Sequence, residues 1–341
     1  MAGRKRGPGS LSESTRRVHG KGATGTQELD VLIIGGGQSG LATAYYVHKA
    51  TDNYLVLDNQ ERPGGAWLHA WDSMTLFSAS SFSNLPGYPM PSTPGYPSRD
   101  HVIDYLTEYE RRYALPVVCP VEVTDIAYSH ARFTVNNRWS ARELIGATGT
   151  WSSPFVPHYP GTFRGTQWHS GTYPGPEPFA GTSVAVVGGG NSAAQIAAEL
   201  SSCTEVTWYT RRPPRFIPDD VDGLELFHNN RKRMLAILRG EKDPGPDREL
   251  GDIVMLPAIR AARDSGRLVA HPMFDSLDDV TADHLIWCTG FRPALGPLRG
   301  HLHNPHLHLV GYGDIVGPGA ATITGVAPYA KAAAKKATQN L

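Results

Sequence analysis

Cysteine is scarce in this chain of 341 residues: Cys119, Cys203 and Cys288 stand far apart, and no CxxC pair occurs. A zinc ribbon and a dithiol redox centre of that type are thereby excluded. Net charge is missing as well, since 32 Lys and Arg face 32 Asp and Glu. A nucleic-acid-binding protein carries a basic excess over its folded part, and there is none here. No stretch reaches about 18 consecutive apolar residues, so no transmembrane helix is expected. What is left is a globular, cytoplasmic protein of a reducing compartment. Glycine and proline, by contrast, are plentiful, at 37 and 27 residues. They predict many tight turns and a loop-rich surface. The length allows two or three domains, each with its own core.

Residues 1–28 hold Arg4, Lys5, Arg6, Arg16, Arg17 and Lys21 among Gly, Ser and Thr. No apolar segment follows them, so they are read as a disordered basic tail and not as a secretory signal. Structure is expected from Leu29. Asp30-Val31-Leu32-Ile33-Ile34 is almost wholly apolar, as a buried parallel strand requires. Gly35-Gly36-Gly37-Gln38-Ser39-Gly40 follows at once, then a helix over 41–49 and a second strand, Tyr54-Leu55-Val56-Leu57, ending at Asp58. Strand, glycine turn, helix, strand and acid come in the order of a dinucleotide-binding unit. Gly35 permits the tight turn, Gly37 lets backbone approach a pyrophosphate, and Gly40 lets the helix pack close to its strand. The helix N-terminus offers free N–H groups to the phosphates, with Gln38 and Ser39 in its first turn. Asp58 can accept from a ribose hydroxyl, which suits FAD or NAD better than NADP.

The pattern recurs. Ser183-Val184-Ala185-Val186-Val187 is a strand, Gly188-Gly189-Gly190-Asn191-Ser192-Ala193 a glycine turn, 194–201 a helix, and Glu205-Val206-Thr207-Trp208-Tyr209 the next strand. Where the first unit has Asp58, the second has Arg211 and Arg212. Two guanidinium groups suit a ribose 2′-phosphate, although a solvated charged surface has the same appearance. Site one is therefore assigned to FAD and site two to NADPH. The fold class is α/β, with two Rossmann-like domains. The FAD domain, 29–150 plus 290–341, is interrupted by an NADPH domain over 151–289. Residues 60–100 read as ordered loops, followed by a helix from Arg99 that Ser98 caps, and short strands with a turn at Asn136-Asn137. Helices are expected over 219–264 around a Pro/Gly-rich break, with a closing helix rich in Ala and Lys.

Phe163-Arg164-Gly165-Thr166-Gln167-Trp168-His169-Ser170-Gly171-Thr172-Tyr173 has the form F-x-G-x-x-x-H-x-x-x-Y. It resembles the identifying sequence of flavin-containing monooxygenases and lies, as in that family, just before the second glycine turn. His169 is either part of that family site or a histidine that holds a linker. Gly64-Gly65-Ala66-Trp67, Trp71-Asp72-Ser73-Met74-Thr75-Leu76-Phe77-Ser78, Leu85-Pro86-Gly87-Tyr88-Pro89-Met90-Pro91, Ile217-Pro218-Asp219-Asp220-Val221-Asp222-Gly223 and Gly311-Tyr312-Gly313-Asp314 resemble the small flavin monooxygenases of arsenic-resistance operons. The resemblance covers about residues 30–335. It implies that Gly65 and Trp67 border the FAD site and that Asp314 returns to the ribityl or pyrophosphate region. Thr148-Gly149 and Thr289-Gly290 look like the two crossings between domains.

The activity so implied has NADPH reduce FAD, after which O2 forms a C4a-(hydro)peroxide that oxygenates an S, N or As(III) centre or a ketone. Trp67, Ser78, Ser81 and Asn84 are candidates for the flavin-side wall, with loop packing or capping as the alternative for each. His301, His303, His306 and His308 read as a polar turn into a strand, interrupted by Pro305, and no metal is expected. The partners expected are a small-molecule substrate and O2, with neither nucleic acid nor membrane; a homodimer is left open. A flavin reductase or oxidase without oxygen transfer would share every cofactor motif, as would a redox sensor that retains FAD.

Overall fold

The computed structural model describes residues 26–219, 221, 224–245 and 251–341. Most of the basic tail, Pro246 of the Pro/Gly-rich break, and Asp220, Asp222 and Gly223 of the Ile217 motif lie outside the described residues. The chain begins with β1 (Gln27–Ile34), α1 (Gln38–Val47), β2 (Tyr54–Leu57), α2 (Arg99–Arg112), β3 (Val117–Val118), β4 (Ile126–Ser129), β5 (Arg132–Val135) and β6 (Trp139–Gly146). It continues with β7 (Thr166–His169), β8 (Ser183–Val187), α3 (Asn191–Leu200), β9 (Glu205–Thr210), α4 (Leu224–Leu238), α5 (Pro257–Asp264), β10 (Ala270–Pro272) and β11 (His284–Trp287). It closes with β12 (Leu307–Leu309) and α6 (Val326–Thr338). β1 starts two residues before the expected Leu29, because Gln27 and Glu28 already pair with Trp139 and Ser140 of β6.

These strands form two sheets. The first has the order β3-β2-β1-β6-β5-β4, and β12 also pairs with β6. β6 changes partner along its length. Its first half takes β5 antiparallel, and its last three residues take β12 parallel. The second sheet, β10-β9-β8-β11-β7, is parallel throughout. The first sheet therefore uses chain from both sides of the second, which is inserted between them in the sequence.

β1 is buried on both faces, as its unbroken apolar run requires. Val31 and Ile33 join the core under α1, α2 and α6, whereas Leu32 and Ile34 join Phe133, Val135, Trp139 and Leu298 on the other side. The same alternation splits β8: Val184 and Val186 face α3 and α5, and Ala185 and Val187 face Phe163, Phe274 and Trp287. α1 packs on α6 through small residues, Ala42 and Ala44 against Ala330, Ala333, Ala334 and Ala337. Ser98 caps α2, its side chain accepting from His101 N–H at 3.2 Å. At the hairpin between β5 and β6, Asn136 and Asn137 both have positive φ, 48° and 51°. That is the left-handed pair a type I′ turn needs, and Asn tolerates it.

Among the described residues, no helix is long and apolar enough to cross a membrane.

Candidate functional site

Each sheet ends in a glycine turn at the point where strand order reverses, between β1 and β6 in one and between β8 and β11 in the other. In open α/β sheets ligands bind in this crevice, outside the carboxyl ends of the strands. The two turns are built alike. Gly35 has φ +107°, and a Cβ there would meet Ala147 O at 2.3 Å. Gly188 has φ +146°, and a Cβ there would meet Cys288 O at 2.4 Å. Both positions need glycine twice over, for backbone conformation and for the neighbouring carbonyl.

The helices that follow start bare. α1 has Gly37 as N-cap and α3 has Gly190; neither has a side-chain cap or an acidic residue in its first turn. Their first N–H groups therefore lack an intrahelical or capping partner and are suited to an anion. Gly37 and Gly65 face one another so closely that a Cβ on Gly65 would lie 2.7 Å from Gly37 Cα. The floor of the first site is thus bare backbone. At Gly189 and Gly190 an added Cβ would meet nothing within 4 Å.

Around the first turn lies a cleft of about 560 Å³, a size suited to a bound cofactor. It is lined by Gly35, Gly37, Gln38, Ser39, Asp58, Gly65 and Trp67. Gln38 locks two walls together: Trp67 Nε1 donates to its Oε1 at 2.9 Å, and its Nε2 donates to Ala321 O at 2.7 Å. Asp58 is buried at the end of β2. Bare helix N-terminus, glycine floor and terminal carboxylate fit a dinucleotide. Its pyrophosphate would be held at the turn, and a ribose hydroxyl would donate to Asp58. At the second site Arg211 and Arg212 stand exposed just beyond β9, and among the described residues neither is in an ion pair. Asn191 is already committed, its Oδ1 accepting from Val254 N–H and its Nδ2 donating to Asp252 O, both at 2.9 Å. Ala193 is buried where the first unit has Gly40.

Several expected residues sit elsewhere. Ser78 is buried, its hydroxyl paired with Ser83 at 2.8 Å. Asn84 staples its own loop, donating to Ser81 O and accepting from Met90 N–H, both at 2.7 Å. Neither lines the cleft, because each spends its polar atoms on holding the 78–90 loop. Asp314 is exposed on a single turn, Gly313–Ile315, and also lies outside the lining. It adds to the field around Arg233, whose main partner is Asp243 at 2.8 Å. From that stretch it is Gly311 that reaches the cleft, close against Ser39. The histidines at 306 and 308 grip buried Glu143 from both sides, at 2.7 and 2.9 Å. His301 bonds Ile126 O at 2.9 Å. Among the described residues no cluster of three such ligands is suited to a metal.

Sequence reasoning missed the aromatic wall. His69 and Trp151 both line the cleft and stack at 5.8 Å, Trp151 stacks on Phe291 at 5.2 Å, and Phe291 meets His169 edge-on at 4.8 Å. The column lies where the two segments that connect the sheets run side by side. Phe155 N–H donates to Gly290 O, Arg292 N–H to Ser153 O and Ala294 N–H to Gly149 O. Thr148 Oγ1 adds a bond to Ala294 O at 2.6 Å, and its N–H donates to Tyr312 Oη at 3.1 Å. Trp151, two residues beyond Thr148-Gly149, was the available signal.

His169 fastens this ribbon. Its Nδ1 accepts from Gly171 N–H at 3.0 Å, so Nε2 carries the proton and donates to Gly290 O at 3.0 Å. Burial holds its pKa below the usual histidine value, because the desolvated ring resists charging; the carbonyl contacts only partly oppose this. As pH falls below about 6.5 the unfolded chain takes up a proton that the folded ring refuses, so stability drops. It is fully present above the ordinary value and lost towards the lower folded one. Melting temperature measured from pH 7.5 to 5.5 should fall further in the native protein than in His169→Gln; parallel curves would refute the assignment.

The sequence pattern of the pyridine nucleotide-disulphide oxidoreductase family matches residues 32–308. The flavin-containing monooxygenase from Stenotrophomonas maltophilia is 40% identical, with a TM-score of 0.82 over 92% of this chain and 99% of that one. An uncharacterised CzcO-like oxidoreductase of Geobacillus kaustophilus is 30% identical over 280 residues, 77% of this chain and 80% of the relative. The bacillithiol disulfide reductase of Staphylococcus aureus shares the fold, with a TM-score of 0.68 over 92% of this chain and 99% of that one, at 17% identity.

Proposed function

The chain belongs to the pyridine nucleotide-disulphide oxidoreductase family, as a flavin-dependent oxidoreductase of the flavin-containing monooxygenase type, and from that premise we propose that it uses NADPH and O2 to oxygenate a small nucleophilic substrate. One observation carries this reading: two glycine-turn helices with bare N-termini, one followed by a buried acid at Asp58 and the other by exposed Arg211 and Arg212. An acid selects an unphosphorylated ribose; paired guanidinium groups select a 2′-phosphate.

Bound FAD supplies the redox and oxygen chemistry. The chain's own part is to hold, orient and exclude. The turn from Gly35 to Gly40 binds pyrophosphate, and Asp58 accepts from ribose. Gln38 fixes the Trp67 indole and the Ala321 loop as two walls of one cleft. Trp67, His69 and Trp151 line the same cleft, and the two indoles would help to keep water from a bound cofactor. One oxygen atom enters the substrate, the other leaves as water, and NADPH supplies the two electrons. The acceptor is an S, N or As(III) centre with a lone pair, or a ketone. The trivalent arsenical rests on the resemblance carried by Gly64 to Trp67, Trp71 to Ser78 and Leu85 to Pro91.

Coupling tests the proposal. NADPH consumption and H2O2 release should be followed with a thioether, an amine, a ketone and a trivalent arsenical in turn. A true substrate raises the rate, consumes one NADPH per product and suppresses peroxide. Complete uncoupling with all four supports an NADPH oxidoreductase without oxygen transfer. Failure of bound flavin to bleach under anaerobic NADPH supports a non-enzymatic flavin-binding protein.

A further inference from the structure

The segment 67–77 leaves the first domain and is gripped by the second. Trp67 lies in the cofactor cleft. Four residues on, Trp71 is buried in the core of the second domain, edge-on to Tyr173 at 5.8 Å. Ser73 Oγ donates to Glu199 Oε1 at 2.5 Å, and Phe77 stacks on Phe227 of α4 at 5.8 Å, with the rings 4° from parallel. The first domain holds the same segment through α2. Arg99 Nη1 donates to Ala70 O at 2.9 Å and pairs with Asp72, Arg99 N–H donates to Met74 O at 2.9 Å, and Leu76 N–H donates to Pro97 O at 2.8 Å. A strap fastened on both sides transmits the relative position of the domains to the wall of the cleft.

Glu199 is the hub of that fastening. It sits in the last turn of α3, whose N-terminus follows the second glycine turn. Its other oxygen, Oε2, accepts from Tyr173 Oη at 2.9 Å. Tyr173 ends the F-x-G-x-x-x-H-x-x-x-Y stretch and is buried; desolvation, with the adjacent carboxylate, drives its phenol well above the usual tyrosine value, so it remains a donor. One carboxylate thus joins the FAD-side strap, the Tyr173 motif and the nicotinamide-side helix. We propose that Glu199 is a positioning residue for hydride transfer: by accepting from Ser73 and Tyr173 together, it sets the register of the strap, and so of Trp67, against the nicotinamide domain. The proposal rests on the NADPH-to-flavin reading above. The transfer itself moves a hydride from reduced nicotinamide to flavin, leaving the nicotinamide oxidised, and the carboxylate takes no part in the bond changes.

The effect of a misplaced strap falls on the transfer step and not on cofactor binding. A displacement of about 1 Å between reacting partners costs up to about a hundredfold in rate. Two measurements on FAD-loaded protein test it: the limiting rate of flavin bleaching under anaerobic, saturating NADPH, and amide hydrogen exchange over 71–77. Glu199→Ala should slow bleaching at least about tenfold and accelerate exchange over 71–77, with FAD content and NADPH affinity held near native and exchange in β1 unchanged. Ser73→Ala and Tyr173→Phe each remove one of the two bonds and should fall between. Glu199→Gln retains a single acceptor oxygen and should rescue part of the loss. If Glu199→Ala yields no folded protein, Ser73→Ala, which alters an exposed hydroxyl, gives the same comparison. Native bleaching rates and native exchange in both Glu199→Ala and Ser73→Ala would overturn the proposal. A native protein that NADPH does not bleach would instead overturn the functional reading, while exchange over 71–77 still decides whether Glu199 holds the strap.

Discussion

Gly40→Ala is expected to destabilise the fold strongly, and Gly37→Val to leave folded protein that holds flavin poorly. The two glycines belong to one turn, yet their surroundings differ sharply. A Cβ on Gly40 would lie 1.8 Å from Gly35 O and 2.9 Å from Gly35 C, both backbone atoms at the end of β1. Neither can yield unless α1 lifts from the strand. Lifting it opens the cluster that holds Val31, Ile33, Leu41 and Ala44. Overpacking of this kind costs about 3 kcal/mol or more, a large part of the roughly 5–15 kcal/mol that holds a domain together. A loss of that size lowers Tm by about 10 °C. Gly37 has an ordinary backbone, φ −74°, and the nearest atom to an added Cβ is Gly65 Cα at 3.7 Å. A Cβ there makes only ordinary contact with Gly65, and a valine side chain adds bulk over the turn where the pyrophosphate would lie. The native melting curve should persist in Gly37→Val. FAD should be retained at least a hundredfold more weakly, as read from flavin absorbance after reconstitution and gel filtration. A yellow Gly37→Val protein with full flavin content would move the pyrophosphate away from this turn.

Such contrasts mark what the sequence made legible and what it did not. The glycine turns, Asp58, the Ser98 cap and the Asn136-Asn137 turn were readable because each is a local signal: a missing Cβ, a short side-chain acceptor, a residue that tolerates positive φ. The turn between β4 and β5 was not. His130 and Ala131 take φ 50° and 58° there, and neither has the chemistry that announces a left-handed turn. Pairing of Ser129 with Arg132 across the hairpin holds them in it. Site residues follow the same rule. Ser78 and Asn84 looked like donors free to face a cofactor, and only the folded loop shows their polar atoms already committed. Asp314 lies outside the cleft while its neighbour Gly311 lines it, a matter of chain path that spacing cannot resolve. Glu199 reads as an ordinary helix carboxylate until Ser73, far off in sequence, arrives beside it.

Arg211→Ala should raise the apparent constant for NADPH by roughly tenfold to a hundredfold and barely move that for NADH. A hydrogen bond to a charged group contributes about 1.5–3 kcal/mol, and each 1.4 kcal/mol is a factor of ten. Only the 2′-phosphate distinguishes the two nucleotides, so a side chain that serves the phosphate cannot weaken both alike. Arg211 and Arg212 are suited to that task because both are exposed and neither is in an ion pair among the described residues. Exposure also means screening, so the NADPH advantage should shrink as salt rises and the Debye length falls to a few ångströms. Arg211→Asp goes further: it places a carboxylate near the end of β9, much as Asp58 follows β2 in the first unit. An acid there accepts from a free ribose 2′-hydroxyl and repels a phosphate, so the preference should turn toward NADH. The measurement is kcat/KM for both nucleotides in the native protein and the two variants, at low and high salt. Equal losses for NADH and NADPH would remove the ground for placing the phosphate at this strand end, whatever became of the flavin site.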